Sequence, residues 1–251
     1  MILNRKLFQR EYRILNLYEE YKMEYEKLGL IGIVPNPIMD LTTKDIAYTD
    51  NAELMDCITH KKNVTLYYSE KLFQCSDRFI KAVLFHEFTH ISDAYNFVGM
   101  EYSNFFMSTY SEFNAMRVEI LLKNGNKIPM LDDTICDENG VTTPRKEIED
   151  YLNFIINTFK SSRMYPEKIK EKAEEIGSVF LKSYSWMFAY LSFYEETEKK
   201  YFESCFNRLE KCEQKELVKE LYKEIQSIEY IKSDSQKIVL DIVDLYSLCF
   251  E

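Results

Sequence analysis

The sequence predicts an α+β fold, with a few short strands among helices up to about residue 142 and a mostly helical stretch from 143 to 251. Two features carry this expectation. Only six glycines and five prolines punctuate the 251 residues, which favours long helices over a turn-rich β protein. Short branched or aromatic runs bounded by turn residues fall in the first part, whereas helical spacing of apolar residues fills the second. With 46% hydrophobic and 15% aromatic residues, the chain can bury a core without disulfide staples.

Residues 4–27 read as a first helix, with Leu7, Tyr12, Leu15, Tyr18 and Met23 at helical spacing among charges and Gly29 as its stop. IGIVP (31–35) is short, branched and ended by proline, as a strand would be. ELMDCITHKKNVTLYYS reads as two strands around a Lys61-Lys62-Asn63 turn, with VTLYYS (64–69) the stronger. A helix then starts at Ser76 or Asp77, either a suitable N-cap, runs to about Phe97 and ends at Gly99. The next spans about Ser108 to Lys123 and stops at NGN (124–126). The stretch 127–142, with Pro129, several acids and Gly140, reads as a loop. Thr143-Pro144 opens another helix, threonine as cap and proline in the first turn. From there the pattern is helical to Glu251, with breaks near Tyr165-Pro166, Gly177 and Ser233. The chain thus divides into 1–142 and 143–251.

Composition excludes some function classes. A net charge of −10 speaks against general affinity for phosphate backbones, so no nucleic-acid partner is expected. The six cysteines form no C-x-x-C pair, which argues against a cysteine-ligated metal and suits a reducing cytosol. MILNRKLFQREYR lacks the apolar core of a signal peptide, and WMFAYLSFY (186–194) is too short to span a bilayer. A cytoplasmic protein without a membrane partner is the expectation.

LFHEFTH (84–90) carries the chemistry. On a helix, residues four apart share a face, so His86 and His90 can offer two imidazole nitrogens to one ion. Glu87 lies about 100° round the helix from His86, beside the metal face, where it can accept a proton from a metal-bound water. Two ligands plus an adjacent general base is the arrangement that suits H-E-x-x-H to zinc hydrolysis. FIKAVLFHEFTHISDAYNF is apolar on several faces, so the helix is buried, and an unsatisfied histidine pair there would be costly.

A catalytic zinc takes three protein ligands and keeps a fourth position open. Glu112 is the best third ligand, near the start of the next helix after a loop that lets that helix fold back. Ala115, three residues on, is small enough for a close helix approach. Asp93 is the alternative: it follows His90 by three and His86 by seven, so it shares the metal face as a ligand or as the acceptor that fixes a ring. Glu119, on nearly the face of Glu112, is a further fallback, and Glu101 in the intervening loop ranks lower. His60, before the motif on a strand or turn, reads as a surface histidine.

The motif with a downstream glutamate on a second helix resembles the gluzincin-type zincin metallopeptidases. Within these, VTLYYSEKL, SDRFIKAVLFHEFTH and SEFNAMRVEILL followed by proline are similar to the ImmA/IrrE family, with Arg78-Phe79, His86, Glu87, His90, Glu112, Ala115, Leu121-Leu122 and Pro129 in the matching places. The likeness covers about residues 64–130. It implies a zincin-like domain with a small sheet around the HExxH helix, a Zn²⁺ cofactor, and hydrolysis of a peptide bond in an intracellular protein substrate with Glu87 as base. The alternative is a catalytically weak or inactive zincin-fold module that binds a protein. A purely helical interaction protein with a fortuitous motif is the third reading. For the donor that would steady the oxyanion, Tyr110, Arg117, Tyr184 and Tyr190 qualify by type and none is singled out.

Overall fold

A computed structural model of the chain describes residues 2–28, 30, 32–43, 46–97, 103–137, 140–164, 173–210 and 215–227. The architecture is mixed α+β and mostly helical, around a small three-stranded sheet. Helix α1 (Ile2–Glu24) continues as a 3₁₀ turn over Tyr25–Leu28. Its buried face is Ile14, Tyr18, Tyr21 and Tyr25, while Tyr12, Leu15 and Met23 face solvent. Tyr21 meets Phe85 edge-on at 5.1 Å and Tyr18 meets Phe88 at 5.2 Å, which clamps α1 along helix α3 (Asp77–Asn96).

The sheet has the order β1 (Ile38–Leu41), β3 (Thr65–Tyr68), β2 (Ala47–Thr49), with β3 parallel to β1 and antiparallel to β2. In the central strand Leu66 and Tyr68 alternate into the core, as period-2 burial requires. Only this strand was predicted in place. Within IGIVP, residues 32–35 form no strand: Asn96 occupies the backbone of Ile33, accepting from its N–H at 2.7 Å and donating to its carbonyl at 2.6 Å. Gly32 sits at φ 128° so close to Asn96 that a Cβ would come within 2.4 Å of it, and the chain extends into β1 only from Ile38. ELMDCITH is a helix, α2 (Asn51–His60), because Asp50 caps it and Leu54, Cys57 and Ile58 bury one helical stripe. His60 is exposed, at the end of that helix instead of on a strand.

Helix α3 begins where Ser76 Oγ accepts from Phe79 N at 3.3 Å, and Phe97 closes it. The helix expected from Ser108 begins earlier, as α4 (Ser103–Phe106) and a π turn over Met107–Ser111, before α5 (Glu112–Lys123). Asn124, Gly125 and Asn126 end α5, the last two at positive φ, as NGN foretold. The expected loop at 127–142 holds a hairpin of β4 (Ile135–Asp137) and β5 (Gly140–Thr142). Thr143 Oγ1 accepts from Lys146 N at the head of α6 (Pro144–Met164). Helix α7 (Ala173–Leu191) runs through Gly177 without the expected break; the chain turns at 192–198 instead, before α8 (Lys199–Glu210) and α9 (Lys215–Ser227). The breaks expected at Gly29, Gly99, Tyr165-Pro166 and Ser233 lie outside the described residues.

Helix α3 packs on α5, and α7 packs on both α5 and α6, so one apolar cluster runs from Ile14 to Ile225. Among the described residues, no helix is long and apolar enough to cross a membrane. Because Ser76 holds the first turn of α3, Ser76→Ala is expected to cost about 1 kcal/mol. Urea unfolding checks this as a lower midpoint with an unchanged slope.

Candidate metal centre

Helix α3 places His86 and His90 one turn apart, and α5 brings Glu112 over both. The two Nε2 atoms stand 3.0 Å apart, and Glu112 Oε2 lies 3.9 Å from that of His86 and 3.8 Å from that of His90. These three residues could hold a metal ion. Donors at ordinary zinc distances around a tetrahedral ion stand about 3.3 Å apart. The three observed separations bracket that figure, so small side-chain adjustments would seat an ion. The sequence pairing of His86, His90 and Glu112 is therefore the group the fold assembles.

Each member is held from behind. His86 Nδ1 lies 2.7 Å from Glu119 Oε2, and Glu119 pairs in turn with Lys123 at 2.6 Å. His90 Nδ1 lies 2.8 Å from Ser111 Oγ. These contacts leave both Nε2 atoms turned toward Glu112. The glutamate is fixed from α7: Trp186 Nε1–H donates to Oε2 at 2.8 Å, and Lys182 Nζ pairs with Oε1 at 2.5 Å. Glu119, a fallback ligand by sequence, thus orients a ring instead.

The protonation pattern follows from this packing. Burial works against a charged His86 ring, but the hydrogen bond and charge of Glu119, with Glu87 and Glu112 adding, raise it to about 9. Burial, only partly offset by the charge of Glu112, drops His90 to about 3, so that ring is neutral. The 3.0 Å contact then fits a proton given by His86 Nε2–H to His90 Nε2. Burial pushes Glu112 up, yet His90, Lys182 and His86 together bring it down to about 2. Glu119 also reaches about 2, because Lys123 and His86 outweigh its burial.

Glu87 behaves differently. It points into a cavity of about 210 Å³ shared with the three clustered residues and with Tyr48, Thr49, Lys182 and Trp186. Thr49 Oγ1 donates to its Oε2 at 2.9 Å. Burial raises Glu87 to about 7 against the opposing pull of His86 and Thr49. Comparison with protein-family models, curated proteins and solved structures finds no match for this chain.

The remaining candidates fall elsewhere. Asp93 is fully buried beside Tyr21 and Tyr110 and is not in the group around the histidines; its position seven residues after His86 carries it past the site, toward α1 and the π turn. Glu101 lies outside the described residues. Of the four donor candidates none lines the cavity. Arg117 sits over the rings of Phe113 and Phe193, and Tyr184 packs between Phe180 and Phe188. Sequence reasoning missed Thr49, Ser111, Lys182 and Trp186. The last is the single tryptophan of the chain, the only signal that could have marked it.

A metal ion must displace the proton on His86, which the ring holds up to about 9. Apparent metal affinity should therefore climb about tenfold per pH unit from pH 7 toward 9 and level off above. Glu119→Gln removes the charge that raises the ring, so it should flatten that climb while weakening binding roughly 10- to 100-fold. Competition against a chromophoric chelator across this range measures both.

Proposed function

We propose that the chain is a zinc-dependent metallopeptidase acting on an intracellular protein substrate. One observation carries this reading: Glu87 lines the same cavity as His86, His90 and Glu112 while staying out of their cluster, free to handle a proton beside it. Two imidazoles and one carboxylate, with a side open to a cavity, are a donor set suited to catalytic zinc. The resemblance of residues 64–130 to the ImmA/IrrE family points the same way. Bound there, zinc would supply a Lewis acid that polarises the attacking water and the substrate carbonyl.

The chain's own residues do the rest. Glu87 takes one proton as the water oxygen bonds to the carbonyl carbon and the C=O π pair moves onto the carbonyl oxygen. It then returns that proton to the leaving nitrogen as the C–N bond breaks and the carbonyl re-forms, giving a carboxylic acid and an amine. A carboxyl raised to about 7 is matched to both transfers near neutral pH. Thr49 holds the carboxylate in one orientation for them.

The test pairs metal analysis with cleavage. Wild type loaded under metal-replete conditions should carry zinc, and His86→Ala should lose it. Glu87→Gln should keep the zinc and lose roughly 10²- to 10⁴-fold in the rate at which a defined peptide library is cut, followed by mass spectrometry. Wild type without zinc refutes the proposal. Zinc with no cleavage makes the chain a binding module, and equal cleavage by Glu87→Gln removes its role as base.

A further inference from the structure

One lysine reaches the cavity among the described residues, and it comes from the helical second half of the chain. Among the described residues that line it, Lys182 is the single lysine or arginine. Its ammonium sits 2.5 Å from Glu112 Oε1, while the other oxygen of that carboxylate faces the two histidines. The charge therefore stands one carboxylate width from the atom that would bind metal. Its side chain keeps 27% of its surface accessible, against 5% for Glu112, and borders the cavity.

Charge and hydrogen accounting set Lys182 apart from Thr49 and Trp186, the two donors bound to the cavity's carboxylates. The indole of Trp186 has one N–H, committed to Glu112, and the hydroxyl of Thr49 is committed to Glu87. Tyr48 is stacked on Tyr67 at 5.0 Å, on the β2 side of the cavity with Thr49. An ammonium has three hydrogens, and the Glu112 pairing takes one. Lys182 therefore combines a full charge, spare hydrogens and a place beside the cluster, and its anchor on Glu112 holds it there before any substrate arrives. A donor so placed stabilises developing charge without a reorganisation cost at the moment of reaction.

We infer that Lys182 is a catalytic residue of the proposed hydrolysis, donating to the carbonyl oxygen as the π pair moves onto it. This inference rests on the metallopeptidase reading. It fills the role that Tyr110, Arg117, Tyr184 and Tyr190 cannot take from where they lie. No bond to Lys182 forms or breaks: it stabilises the oxyanion and is released from it when the carbonyl re-forms.

The probe is inorganic phosphate, a tetrahedral anion, titrated into the cobalt(II)-loaded full chain and followed by cobalt's visible absorption. Lys182→Met should keep cobalt stoichiometry and its absorption bands while phosphate affinity drops roughly tenfold, the scale of a hydrogen bond to a charged group. Lys182→Arg, which retains the cation, should recover most of that affinity. Should Lys182→Met fail to fold, Lys182→Gln must show the same loss. Unchanged phosphate affinity in the neutral variants overturns the inference and leaves the metal centre intact. Loss of cobalt in the neutral variants also overturns it, making Lys182 a positioning residue for Glu112. A wild type that takes up no cobalt refutes the metallopeptidase reading itself, and the role of Lys182 with it.

Discussion

Helix α5 and the π turn before it meet α3 through Ser111, Glu112 and Glu119, and each of these faces a histidine. That polar seam is the constraint on which the rest of the site depends. An isolated charge moved into a protein interior costs several kcal/mol even after relaxation. Here, largely buried carboxylates and a protonated ring are tolerated because each has an opposite charge within contact distance. Glu119 lies between His86 and Lys123, and Glu112 between the histidines and Lys182. The same pairing that makes the seam bearable also orients the rings, so stability and site geometry have one cause.

The seam needs a third helix. Trp186 and Lys182 on α7 hold the two oxygens of Glu112, and α7 can reach them because it packs on α5 and the π turn. A π turn takes up one residue more than an α turn, so it resets which side chains face a neighbour. It ends at Ser111, directly before Glu112, and those adjacent residues both address the histidine pair. The four-residue spacing on α3 supplies the two rings; the π turn and α7 determine what meets them.

How much of this the sequence revealed depended on how local each signal was. Helix α3 was legible because its cap, its period and its motif lie within one stretch, Ser76 to Phe97. Glu112 was legible because the small Ala115 and the chain reversal before it restrict where a second helix can go. Helix α2 was misread because Cys57, Ile58 and Thr59 look strand-like, while its deciding feature is the single capping residue Asp50. Strands β1 and β2 span Ile38–Leu41 and Ala47–Thr49, too short to show an alternation of their own, and only pairing with β3 defines them. Lys182 and Trp186 were beyond reach for a different reason. They are far from the motif in sequence, and their helix carries no pattern that tells a site-facing position from a core-facing one.

The cavity's two carboxylates show how one small volume can separate two chemical roles. Glu87 and Glu112 are both desolvated, and burial alone would raise both. Glu112 also meets two imidazoles and an ammonium, which bring it to about 2 and keep it anionic, as a metal ligand must be. Glu87 has the hydroxyl of Thr49 and only partial compensation from His86, so it stays at about 7. Environments that push paired titratable groups apart in this way assign an acid–base role to one and a fixed charge to the other. On the proposed reading, this is why Glu87 cannot be exchanged for Glu112 although both side chains border the same space. A ligand must not release its electron pair to a proton at working pH, whereas a base must take up a proton and return it there. The division rests on His90 and Lys182 addressing Glu112 from two sides, a compensation that Glu87 lacks.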